Sequence, residues 1–390
     1  MRPATPEHPR KVCVVVASRA NYGRIKTVLQ AIREHPALEL QLVVSASALL
    51  SRFGSAIDVI RGDGFEPDRC IHIIVEGENP TTMAKSTGLA VMEMATAFEN
   101  LRPDIALTVA DRFETMATAI AASYMNIPVA HTQGGEVTGS IDESVRHAIS
   151  KLSHVHFPAT EESRERLIQL GEDPQQIFLT GCPAMDLLPP LCDEPLPPGL
   201  FQRYGGVGTE IDPSRPYLMV LQHPVTTEYG SGFRQIQETL LAIHQLDMQT
   251  LWFWPNVDAG SDDVSKGIRT FREQVRDSRI HFFINMAPDD YARALSHSAC
   301  IVGNSSSALR EAAFLGVPAV NIGTRQAGRE RGPNVVDADY ERSGILAAVH
   351  RQLKHGRYPR SLLFGDGQAG QRIAQALALC DPPLQKRITY

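Results

Sequence analysis

The chain has 390 residues, of which 43% are hydrophobic and 21% charged, with a formal net charge of −6. That length exceeds one ordinary core, so two domains are expected. The negative balance, with no Lys/Arg run, argues against a nucleic-acid partner, and no stretch of ~18 apolar residues offers a membrane span.

Residues 1–10 are polar and proline-bearing, unlike a signal peptide, and read as a lead-in to the first strand. The six cysteines (13, 70, 182, 192, 300 and 380) form no CxxC pair, and the thirteen histidines form no HExxH. Buried free thiols in a cytoplasmic protein are therefore expected, with no dedicated metal site.

Residues 11–17 (KVCVVVA) form an apolar run of strand length. They lead through a polar, glycine-containing loop with Arg19 into a helical pattern over 24–35. This is the opening of an α/β unit, but without the GxGxxG of a dinucleotide site. Strands follow at 40–45 and 71–75, and helices at 51–62 and 82–101. The strand at 105–110 ends in Asp111-Arg112, at the carboxyl end where open parallel sheets bind ligands. A helix at 113–125 and a short strand at 129–130 precede His131-Thr132-Gln133-Gly134-Gly135-Glu136, where paired glycines let the backbone bend close to a ligand. Asp142 and Arg146 open a helix ending near residue 152. The plainer role for Asp142 is as that helix's cap. Strands at 154–158 and 177–179 complete the first half.

Composition then shifts. Five prolines lie between 189 and 198, followed by Gly205, Gly206 and Gly208, which marks a linker. The pattern restarts with a strand at 217–221 running into Gln222-His223-Pro224. Helices at 233–246, 261–276 and 289–297 alternate with strands at 250–254 and 281–284. Next comes the stretch around which the second half is organised, Cys300 to Glu311 (CIVGNSSSALRE). It reads as strand, tight turn and helix start, with the helix over 308–315. Unpaired N–H groups and the hydroxyls of Ser305 and Ser306 make a phosphate site, and Glu311 can accept from a ribose diol. The plainer reading is a serine-capped helix with a solvated glutamate. A strand at 319–322 and a loop with Arg325 suited to anions follow, then closing helices at 340–353 and 368–378. Alternating units in both halves predict two doubly wound sheets facing across a cleft.

HTQGGEVTGSIDESVRHAISKLSHVHF (131–157), the Gly181-Cys182-Pro183 turn, GNSSSALRE (303–311) and NIGTRQAGRERGPNV (321–335) resemble the hydrolysing UDP-N-acetylglucosamine 2-epimerases, which open sialic-acid-type sugar synthesis. The resemblance runs from about residue 12 to about residue 336. It implies a glycosyltransferase-B type fold of two Rossmann-like domains. The first, 1–188, would carry the acid/base residues. A linker (189–212) would join it to the nucleotide-binding domain (213–370), with a tail at 371–390. It also implies that Ser305, Ser306 and Arg19 hold the diphosphate and Glu311 the ribose, and that His223 lies near the sugar or leaving group. Asp111, Glu136 and Asp142 become the acid/base candidates, with Gln133, Arg146 and Arg325 as further substrate contacts.

The implied reaction removes the C2 proton, expels UDP to leave a 2-acetamidoglucal, then adds water with protonation on the opposite face, giving N-acetylmannosamine. No redox cofactor is required, and a divalent cation on the diphosphate is compatible with it. The partner is a UDP-sugar, with neither nucleic acid nor membrane, in a cytoplasmic homo-oligomer. A UDP-2,4-diacetamido-2,4,6-trideoxyglucose substrate, for legionaminic-type acids, is the alternative. A glycosyltransferase of the same fold would need an acceptor, and a nucleotide-sugar sensor would turn nothing over. Two departures stand out. Residues 45–50 (SASALL) lack the histidine of the family's Thr-Gly-x-His-like segment, and Gln133 stands where relatives often carry glutamate. Either Glu136 fills that role or the acid/base work differs, since an amide cannot carry a proton as a carboxylate does.

Overall fold

The computed structural model describes residues 4–191, 194–275 and 278–389. Cys192 and Arg276, the latter read as the end of a helix, lie outside them.

The first sheet is built from β1 (Arg10–Val16), β2 (Leu38–Ser45), β3 (Arg69–Ile71), β4 (Ile105–Val109), β5 (Val129–Thr132) and β6 (Val155–Phe157). Their order is β3-β2-β1-β4-β5-β6, all parallel. In β1, residues 12–16 are apolar and buried throughout, as a strand covered on both faces demands. The covering helices are α1 (Arg19–Gly23), α2 (Lys26–Glu34), α3 (Ala56–Gly62), α4 (Pro80–Leu101), α5 (Phe113–Tyr124), α6 (Asp142–Leu152) and α7 (Glu161–Gln169). α4 starts in a capping box: the Asn79 side chain accepts from the Thr82 N–H, and the Thr82 side chain accepts from the Asn79 N–H.

The second sheet has β7 (Val207–Gly208), β8 (Tyr217–Leu221), β9 (Gln249–Phe253), β10 (Ile280–Phe283), β11 (Cys300–Gly303), β12 (Ala319–Ile322) and β13 (Val335–Ala338). The order is β13-β12-β11-β8-β9-β10-β7, parallel except for β7 on the edge. Its helices are α8 (Gly232–Gln245), α9 (Ser261–Gln274), α10 (Pro288–His297), α11 (Glu311–Leu315) and α12 (Arg342–His355). A last helix, α13 (Ala369–Leu379), leaves this domain and returns to the first.

Several elements differ from the sequence reading. The helix expected over 24–35 is α2, and the loop expected before it holds the short helix α1, set off from α2 by a turn at Arg24 and Ile25. The strand expected at 71–75 lies earlier, as β3. The strand expected at 177–179 is reduced to one bridge between Ile177 and His156, because its chain only brushes the sheet edge. β7 and β13 were not expected: one is two residues long, and the other is only half-buried, so neither carries a strong apolar signal. The proline-bearing segment after 188 folds onto the second core through Leu191, Leu200 and Phe201. The described cysteines 13, 70, 182, 300 and 380 are free, and Cys70 is exposed.

The segment from 371 onward, read as a tail, contributes Ile373, Ala374 and Leu377 to the first domain's core. Asp186 fixes the start of α13, its carboxylate accepting from the N–H groups of Ala369 (2.9 Å) and Gly370 (2.7 Å). Beyond α13, the Lys386 ammonium donates to the carbonyls of Ser150, Lys151 and Ser153 at the end of α6. Leu377 is completely buried in the first core. Leu377→Ala is expected to lower stability by about 2–5 kcal/mol. Urea unfolding of the full chain measures this, and an unchanged midpoint would deny the helix a place in that core.

Candidate functional site

The carboxyl ends of both sheets face one cleft. Its walls include Arg19, Asp111, Asp142, His223, Ser305, Ser306, Glu311 and Arg325. Three other expected site residues, Gln133, Glu136 and Arg146, are buried behind that wall.

On the first domain, β4 and β5 are each followed by a non-glycine residue with positive φ: Ala110 at 64° and Gln133 at 61°. Such backbone costs energy and occurs where surrounding contacts enforce it. Here it turns the chain sharply, so that Asp111 and the 133–136 loop stay at the sheet edge. Gly135, at φ +78°, packs so closely on the Ser163 carbonyl that no side chain fits. His131 braces the two loops, its Nε2 lying 2.6 Å from the Ala110 carbonyl and its Nδ1 3.2 Å from Ser150 Oγ. Burial pushes its pKa down to about 3, so it is neutral and structural.

Asp142 is the first residue of α6. The cap position is Ile141, so the capping role does not apply. The Asp142 N–H donates to Ser140 Oγ (3.3 Å), and its carboxylate lies 3.9 Å from Arg325. Burial raises its pKa, as does Asp258, against the pull of Arg325 and Arg112. One turn on, Arg146 pairs with Asp111 and donates to the Glu136 carbonyl at 2.8 Å.

On the second domain, the serine stretch does not open a long helix. Ser306–Ala308 form one 3-10 turn, and α11 restarts at Glu311 for five residues. The serine hydroxyls compete with the backbone: Ser305 Oγ accepts from the Ser307 N–H (3.4 Å). An anion at this turn would therefore meet hydroxyls, local N–H groups and a guanidinium more than a helix dipole. That guanidinium is Arg24, which donates to Ser306 Oγ at 2.6 Å from the other domain. Arg19, the residue expected there, lines the cleft but donates to the Ile284 carbonyl at 2.6 Å. Glu311 Oε2 is buried with no hydrogen-bond partner among the described residues, an acceptor left open toward the cleft.

His223 is held by Asn304, whose amide pairs with its backbone N–H (2.7 Å) and carbonyl (2.9 Å). Its Nδ1 accepts from the Asn256 N–H (3.2 Å), so Nε2 carries the proton as a donor. Burial first, then Arg325, Arg19 and Arg112, keep it neutral, well below the usual histidine range.

Behind the wall, guanidiniums and carboxylates from both domains interlock. Glu136 pairs with Arg310 and, at 3.2 Å, with Arg329, both from the second domain. Arg329 also lies 3.8 Å from Asp111. Gln133 Oε1 accepts from Arg310 (3.2 Å) and Arg24 (3.4 Å), and its Nε2 donates to Cys182 Sγ. Arg112 pairs across the cleft with Asp258 at 2.7 Å and with Glu114 at 3.2 Å. The sequence reading missed Arg24, Arg112, Arg310, Arg329 and Asp258. Four of them are arginines in or beside segments already singled out, which was the available signal. Among the described residues, no group of three or more His, Cys, Asp or Glu could hold a metal, and no helix is long and apolar enough to cross a membrane.

Burial would raise the Glu136 pKa, but Arg310, then Arg329 and Arg24, pull it below its ordinary 4.5. A depressed carboxylate stabilises the fold above its unfolded value and loses that contribution as pH falls below about 4.5. Wild type should therefore weaken on acidification. Glu136→Gln should be less stable by about 3–5 kcal/mol at pH 7, with a flatter acid limb. Denaturant titrations from pH 7 to pH 3 measure both, and parallel curves for the two proteins would remove Glu136 from this role.

The family model described as UDP-N-acetylglucosamine 2-epimerase matches residues 30–378. A hydrolysing UDP-N,N'-diacetylbacillosamine 2-epimerase of Legionella pneumophila is 34% identical, across 94% of this chain and 95% of that protein. A UDP-N-acetylglucosamine 2-epimerase of Neisseria meningitidis is 27% identical over the same shares. The crystal structure of a Neisseria meningitidis UDP-GlcNAc 2-epimerase bound to UDP-GlcNAc superposes with a TM-score of 0.78 at 19% identity, covering 94% of this chain and 99% of that one. The architecture is thus of the glycosyltransferase-B type. With both sheets, the cleft and the family match in agreement, the chain belongs to the UDP-N-acetylglucosamine 2-epimerase family and is an enzyme of its hydrolysing, UDP-sugar type.

Proposed function

We propose that the enzyme converts a UDP-2-acetamido sugar into UDP and the free C2-epimeric sugar by elimination followed by hydration. The observation that carries this reading is the cleft itself. Carboxylates at strand ends of one domain face an open glutamate acceptor and a serine–arginine anion site on the other.

In this reading the uridine ribose hydrogen-bonds Glu311. The diphosphate lies against Ser305, Ser306, Arg24 and Arg19, with Arg325 beside it and the neutral His223 donating from Nε2. Asp111 takes the C2 proton, the C1–O bond breaks, and its electron pair leaves on UDP. Asp142 then gives a proton to C2 from the opposite face while water oxygen bonds C1, and the water proton passes to solvent. Asp111 returns its proton and Asp142 regains one, so the net products are sugar, UDP and one proton. Guanidiniums carry the countercharge, so a divalent cation is an addition to the site and not a requirement. The reaction runs in a cytoplasmic enzyme, with self-association of the chain as a further part of the proposal.

Among UDP-sugars, the 2,4-diacetamido-2,4,6-trideoxy sugar is favoured. The 34% identical Legionella relative and a 29% identical Campylobacter jejuni relative are both named for diacetylbacillosamine. UDP-N-acetylglucosamine is the second reading, supported by the Neisseria relative. Each sugar, incubated alone with enzyme in deuterium oxide and followed by NMR, should yield UDP and free sugar deuterated at C2. The diacetamido substrate should have the higher kcat/KM. Absence of UDP release from both would overturn the proposal. Asp111→Asn should bind UDP as wild type does but turn over roughly 100-fold or more slowly, the scale of a lost acid/base group. Calorimetry and a UDP-release assay measure the two effects, and normal turnover would reject Asp111 as the base.

A further inference from the structure

Asp258 lies in the loop after β9, on the second domain, and is 7% exposed. Neither the sequence reading nor the proposed reaction uses it. Its Oδ1 pairs with Arg112 of the first domain at 2.7 Å, and its Oδ2 accepts from the Asn256 amide at 2.5 Å. Arg325 sits between Asp258 and Asp142, its Nη2 being 3.9 Å from an oxygen of each. Two carboxylates from opposite domains thus share one guanidinium at the cleft.

Such a pair cannot hold two full negative charges cheaply in a buried site, and the charge goes to the carboxylate with the closer cation. Asp258 has Arg112 at 2.7 Å and an amide donor, whereas the cation nearest Asp142 is at 3.9 Å. We propose that Asp258 is a positioning residue for the reaction: reaching Asp142 across the closed cleft, it keeps the proton on Asp142, which then donates it to C2. This rests on the function proposed above, where Asp142 is the donor.

The groups facing Asp142 agree on the direction. Arg325 comes from the loop after β12, Arg112 from the loop after β4, Asp258 from the loop after β9, and Ser140 from its own loop. Glu143 follows in α6, and His223 is neutral. Burial and Asp258 push the Asp142 carboxyl up, against Arg325 and Arg112. Opening of the domains would separate Arg112 from Asp258 and Arg325 from Asp142, so the donor is loaded only when the cleft is shut.

The test is the pH dependence of UDP release by the full-length enzyme. A protonated donor makes turnover fall as pH rises through the pKa of Asp142. Asp258→Asn removes the like charge and frees Arg112 and Arg325, so the fall should begin roughly one pH unit or more lower. Turnover on the acid side should be retained, and Asp258→Glu should restore the wild-type profile. A profile reduced evenly at all pH values, or one that does not move, would overturn the proposal and leave Asp258 a structural tie. Carboxyl 13C titration of aspartate-labelled wild type and Asp258→Asn with UDP bound, assigned by the signal missing in Asp142→Asn, reads the pair without turnover. Asp142 should titrate above the ordinary carboxylate range in wild type and lower in Asp258→Asn, and titration within that range in wild type, or no difference between the two, would overturn the proposal. If neither UDP-sugar is turned over, the function fails as proposed, while the carboxyl titration still judges the pair.

Discussion

The structure depends on a buried ion-pair cluster that spans two domains. Arg310 and Arg329 of the second domain close on Glu136 of the first, and Arg146 holds Asp111 beside them. Burying several guanidiniums is expensive unless each finds a partner. Arg310 and Arg329 find their carboxylate on the opposite domain, so that part of the cluster forms only when the sheets face each other. Apolar packing builds each domain, but this polar seam sets their mutual position. Arg112 with Asp258 and Lys26 with Asp289 extend the same logic along the cleft.

That seam also sorts the carboxylates by task. Glu136 is held between two guanidiniums of the second domain. Asp142 stands farther from its nearest guanidinium and closer to solvent, where a proton can come and go. Gln133 fits the same scheme. Its amide accepts from Arg24 and Arg310 while donating to Cys182, a donor–acceptor combination that an ionised glutamate could not match. With a neutral group there, Arg24 keeps its charge for an anion in the cleft.

Chain connectivity strengthens the arrangement. α13 crosses back to the first domain and is capped by Asp186, so the two domains are joined twice. Lys386 then caps the far end of α6, the helix whose first residue is Asp142. The helix that carries the proposed proton donor is thereby fixed at its distal end.

The sequence alone determined the alternation of buried strands and amphipathic helices, because continuous apolar runs of strand length have few other uses. It also placed Asp111, Asp142, His223, Ser305, Ser306 and Glu311 in loops and helix starts that follow strands, and all six line the cleft. It could not tell that Glu136, Gln133 and Arg146 lie behind the wall, since each is a polar residue in a loop or helix start and local pattern carries no depth. Only the tertiary structure decided which arginine serves the serines. Arg24 and Arg19 are five residues apart, but a break between α1 and α2 aims one at Ser306 and the other at a backbone carbonyl. Asp258 was beyond reach for the same reason: its contact with Arg112 joins the two domains across the cleft, and no spacing along the chain encodes that.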